Sequence, residues 1–79
     1  MELLKFKTNV QSSEQIEQVT PFLEKLPGIE NWKIDVGTEE NILSISGTNL
    51  NPQKIENAVK KAGYTAELLR VLGIGGQGL

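Results

Sequence analysis

The chain contains neither cysteine nor histidine. Without thiols it forms no disulfide and no thiolate metal site. Without imidazole it lacks the commonest neutral metal ligand and the usual general base. Those two zeros remove most enzyme classes, leaving only chemistry built on paired carboxylates, a lysine or a phosphate loop. Aromatics are few, with two Phe, one Trp and one Tyr, so little is available to stack nucleic-acid bases. Positive charge is not in excess: eight basic residues face ten acidic ones, and the net charge of −2 disfavours nucleic-acid partners. No apolar run approaches the roughly 20 residues that a membrane-spanning helix needs. No signal-peptide pattern opens the chain. The expectation is a cytoplasmic protein that neither inserts into a membrane nor binds nucleic acid.

What is present suits one small soluble domain. The chain has 79 residues, 38% apolar and 23% charged. A domain of this size buries only about 60% of its unfolded surface. Leu4, Phe6 and Thr8 alternate with Lys5 and Lys7, the period of a strand with one buried face. Ser12 or Ser13 can cap a following helix, and Ser12 with Gln15 fits a capping box. Ile16, Val19, Leu23 and Leu26 then recur at helical spacing, which predicts one helix over 13–26, kinked at Pro21. A break at Thr20 with a fresh start is the competing reading.

Leu26-Pro27-Gly28 ends that helix. Trp32, Ile34 and Val36 predict a second strand, 37–41 a polar turn, and 42–46 a third strand with Leu43 and Ile45 on one face. Asn51-Pro52 opens a second helix, since Asn caps well and Pro suits the first helical position. Ile55, Val59 and Ala62, with Ala58 beside them, form its inner stripe, and Gly63 closes it in a left-handed cap. Glu56 stands one turn before Lys60 and predicts an i,i+4 ion pair. A last strand over 64–71 follows. The order predicts an α+β, ferredoxin-like βαββαβ sandwich: a four-stranded antiparallel sheet with two helices on one face. The domain is expected over 1–71, with 72–79 a flexible glycine-rich tail. The tail's Gly73-Ile74-Gly75-Gly76-Gln77-Gly78 matches a dinucleotide fingerprint formally, but only Leu79 follows where a helix and strand are required.

The sequence Leu26-Pro27-Gly28-Ile29, the strand Trp32-Lys33-Ile34-Asp35-Val36 and the turn Ala62-Gly63-Tyr64 come in an order that resembles the heavy-metal-associated domain of copper chaperones and metal-pumping ATPases. Lys5-Phe6-Lys7-Thr8-Asn9-Val10 and Thr20-Pro21-Phe22-Leu23 look like a bacterial branch of that family. The resemblance spans roughly residues 3–69. In that family a Cys-x-x-Cys pair at the start of the first helix grips a soft metal ion. Counting back from Gly28, the resemblance puts those positions on Ser12 and Gln15, and Val10 where a methionine often stands. A protonated hydroxyl and a neutral amide do not replace thiolates for Cu(I). Tyr64 matches a tyrosine near the metal loop, although a ring at the core edge after a helix cap explains it equally well.

Other motifs carry less. Asp35, Glu39 and Glu40 surround a turn but lack EF-hand spacing. No carboxylate pair has a context for glycosidase chemistry. RNA-recognition domains share the topology, yet the third strand lacks the aromatics they use. The leading expectation is a non-enzymatic domain with a degenerate metal site, no metal and no cofactor. It would dock a protein of metal homeostasis through Asn9, Val10, Gln11, Ser12, Ser13, Gln15 and Tyr64. Residual metal-ion binding or transport through oxygen ligands, and small-molecule sensing on the same fold, are the alternatives.

Overall fold

A computed structural model describes residues 2–73. Its elements run β1 (Glu2–Thr8), α1 (Ser13–Glu24), β2 (Ile29–Ile34), β3 (Leu43–Gly47), α2 (Pro52–Lys61) and β4 (Ala66–Gly73). The strands form one antiparallel sheet in the order β2-β3-β1-β4, which is the ferredoxin-like βαββαβ arrangement. Alternation along β1 sends Leu4, Phe6 and Thr8 to the buried side, where Leu43 and Ile45 of β3 meet them. Val19 and Leu23 of α1 and Ile55, Ala58 and Val59 of α2 close the same core. Burying each of the larger side chains contributes about 1.5–3 kcal/mol. Leu3, Lys5 and Lys7 alternate onto the opposite face of the sheet.

α1 continues through Pro21 as one helix. Proline's missing N–H would have met the Glu17 carbonyl, and both residues are exposed, so water can satisfy that oxygen. The helix ends at Glu24, two residues short of the expected limit, and Leu26 N–H closes onto Leu23 O at 3.1 Å. The chain then turns at Gly28, whose φ of +86° disfavours any side chain. The crossing is tight: Thr48 N–H donates to Gly28 O at 2.9 Å, and a Cβ on Gly47 would lie 2.0 Å from the same oxygen.

Other expectations also need correction: β3 runs Leu43–Gly47, one residue later than expected at each end. β2 starts at Ile29 and stops at Ile34, so Val36 lies outside it. Asp35 N–H makes one further bond to Ile42 O at 2.9 Å before Gly37, at φ +89°, turns the chain away. β4 begins at Ala66, because Tyr64 N–H is held by Val59 O at the end of α2, and it runs on to Gly73, which pairs with Glu2. The expected tail therefore contributes Leu72 and Gly73 to the sheet, while 74–79 lie outside the described residues. Finally, the half-buried Glu56 carboxylate accepts the Leu68 N–H of β4 at 3.2 Å, and no Glu56–Lys60 ion pair forms among the described residues. A strand-edge N–H without another partner rewards the carboxylate more than an exposed lysine does.

Candidate functional site

β1, β2 and α2 all end at the same pole of the domain, bringing three loops together: 9–12, 35–42 and 62–65. Thr8 joins the first two. Its buried hydroxyl donates to Asn41 O at 2.6 Å and accepts from Val10 N–H at 3.2 Å, while Thr8 N–H donates to Glu40 O at 3.1 Å. Asn41 is itself buried at φ +46°, with its N–H donating to Thr38 Oγ1 at 3.0 Å. Asn is among the few residues that tolerate this conformation.

Asn9 joins the third loop: its exposed Oδ1 accepts from Thr65 N–H at 2.8 Å. Beside it the Tyr64 hydroxyl donates to Gln18 Oε1 on α1. The start of α1 is closed by its own side chains. Ser12 Oγ accepts Gln15 N–H at 3.3 Å, and Gln15 Oε1 accepts Gln11 N–H at 2.6 Å. Ser12 is thus the N-cap, but the glutamine reaches one residue further back than a capping box requires. The Ser12 and Gln15 side chains are both spent on backbone N–H groups of their own loop and helix.

Asn9, Gln11 and Ser13 are exposed, and Ser12, Gln15 and Tyr64 are half-buried. Val10 differs: it is fully buried in the core, so it anchors the loop and offers no surface to a partner. Sequence reading passes over Gln18, Thr65 and Asn41 and takes Thr8 only for a buried strand position. Gln18 was within reach of it, since it lies one turn beyond Gln15 on the same helical face. Thr65 acts through its backbone and left no side-chain signal. Among the described residues no group of three His, Cys, Asp or Glu side chains converges to hold a metal ion. No helix of the described residues is long and apolar enough to cross a membrane.

No family model matches the chain, and no curated protein matches it. Solved structures do. The N-terminal domain of PacS from Synechocystis PCC6803 superposes with a TM-score of 0.72 at 19% identity, over 86% of this chain and 97% of that one. The N-terminal domain of ZntA in its Zn(II) form gives 0.78 at 16% identity, over 91% and 97%. A chain of the Atx1-Cu(I)-Ccc2a complex gives 0.73 at 17% identity, over 89% and 97%. The structural neighbours are heavy-metal-associated domains of copper and zinc chaperones and P-type ATPases. This chain has the fold of those domains, built without a single cysteine.

Proposed function

We propose that this chain is a non-enzymatic docking module of metal-ion handling, with Ser12 and Gln15 standing where a metal-binding relative carries its thiolates. The observation that carries the reading is the closed start of α1. Ser12, Gln15 and Asn9 satisfy backbone N–H groups of their own domain and converge no charged oxygen, sulfur or imidazole on a common point. Such a loop is tied down by its own hydrogen bonds, neutral and poorly suited to Cu(I) or Zn(II), which prefer thiolate and imidazole. It remains suited to a protein surface, because Asn9, Gln11, Ser13 and the Tyr64 ring stand together at one pole on a fixed frame. The complex of two metal-handling proteins among the structural neighbours supports docking as the surviving capacity. In this reading no metal or cofactor is bound, and Val10 contributes by holding the loop from within.

The test is calorimetric. A purified, cysteine-bearing metal-binding domain of a P-type ATPase is titrated into this chain and into Asn9→Lys. Micromolar binding that the substitution weakens about tenfold supports the proposal. Absence of binding, or binding indifferent to Asn9, refutes it.

A further inference from the structure

We infer that the free half of β4 is a second docking edge, built for an extended acidic segment of a partner protein. This surface is separate from the loop pole and does not depend on the proposal above. β4 closes one side of the sheet, so one row of its backbone groups faces outward. Glu56 covers that edge at Leu68, and the residues that follow carry the exposed large apolar side chains of the described chain. Leu69 is 46% exposed, Val71 53% and Leu72 37%. β4 bulges at Leu69, where its register against β1 shifts, and pairs regularly again from Arg70 to Gly73, whereas the other edge strand, β2, exposes the polar residues Glu30, Asn31 and Lys33 along its length.

Charge identifies the occupant. Cross-strand pairing lines up Lys33, Ser44, Lys5 and Arg70 in one row across the open face, with Lys5 directly opposite Arg70. Like charges placed so are destabilising, and no ion pair within 4.0 Å relieves them among the described residues. A carboxylate on a strand added beside β4, level with Arg70, would. Its neighbours in sequence would point to the other face of the sheet, level with Val71, where an apolar side chain fits. The segment that matches therefore alternates acidic and apolar residues and gains main-chain hydrogen bonds along the edge.

The same surface argues against other occupants. A second copy pairing edge to edge would bring two rows of cations end to end. A nucleic acid or an anionic membrane would span more of the face. It would meet Asp35 and Glu40, which line the far side of the shallow depression of about 480 Å³ that Lys5, Leu69 and Arg70 also line.

The experiment uses the full chain and a short fluorescein-labelled peptide alternating valine and glutamate, followed by fluorescence anisotropy. The expected result is salt-sensitive binding in the micromolar range, weakened about tenfold by Arg70→Glu and unchanged by Lys54→Glu, which makes the same charge change on α2. Amide exchange at residues 69–72 should slow when the peptide is bound. Because Arg70 is exposed, the variant should fold, and Arg70→Gln provides a milder second test with a smaller loss. Equal binding of a valine–lysine peptide, equal loss in both charge variants, or no binding at all overturns the inference. So does concentration-dependent self-association abolished by Val71→Lys, which makes a second copy the occupant. Binding of oligouridine or phosphatidylserine vesicles in preference to the peptide overturns it as well.

Discussion

Replacing Ser12 and Gln15 together by cysteine should turn the start of α1 into a Cu(I) site. The structural cost is readable from two hydrogen bonds. Ser12 Oγ loses its bond from Gln15 N–H, and Gln15 Oε1 loses its bond from Gln11 N–H. Each such cap is worth about 1 kcal/mol. Both residues are only half-buried, so no cavity adds to the loss. A domain of this length has roughly 4–12 kcal/mol of stability, so a loss of about 2 kcal/mol leaves it folded. Its Tm should fall by roughly 8–16 °C. The new thiols sit at a helix N-terminus, whose partial positive charge favours thiolate. One Cu(I) per chain should then bind, measured by competition with a chromogenic chelator. The control is Asn57→Cys with Lys60→Cys, which has the same spacing on an exposed face near the C-terminus of α2, where the dipole opposes thiolate. If the loop variant folds and binds copper no better than this control, the correspondence of Ser12 and Gln15 with metal-ligand positions is wrong.

Thr8→Val should destabilise the domain by about 1–3 kcal/mol, since Asn41 O and Val10 N–H lose their shared partner; Thr8→Ser should recover most of it, as read by denaturant unfolding. Gly47→Ala should cost about 1–3 kcal/mol or more, because its Cβ would lie 2.0 Å from Gly28 O and the backbone must move; unchanged unfolding would contradict that packing. Single-stranded RNA should show no salt-sensitive gel shift at micromolar protein, given the net charge of −2 and the absence of aromatics from β3.

The second helix was the most legible element, because its signals are local: Asn51 caps it, Pro52 opens it and Gly63 at φ +98° ends it. Strand limits were less so. Val36 keeps the apolar alternation of β2 and packs against the core, yet the strand ends at Ile34, a boundary set by Gly37 and the turn behind it. Glu56 was misjudged for a related reason. Helical spacing offers it Lys60, whereas the approach of β4 offers it an unpaired N–H, and only the folded chain contains the second choice. At the loop pole the sequence could not reveal that Val10 turns inward. An apolar residue between exposed Asn9 and Gln11 is compatible with either face of a loop.

Docking at the loop pole without metal transfer can be read in one titration. A Cu(I)-loaded, cysteine-bearing metal-binding domain is added to isotope-labelled chain, and amide shifts are followed together with the location of the copper. Shifts should be confined to Asn9, Gln11, Ser12, Ser13, Gln15, Tyr64 and Thr65, with copper remaining on the partner. Transfer of copper to this chain, or the absence of any shift at that pole, would contradict it.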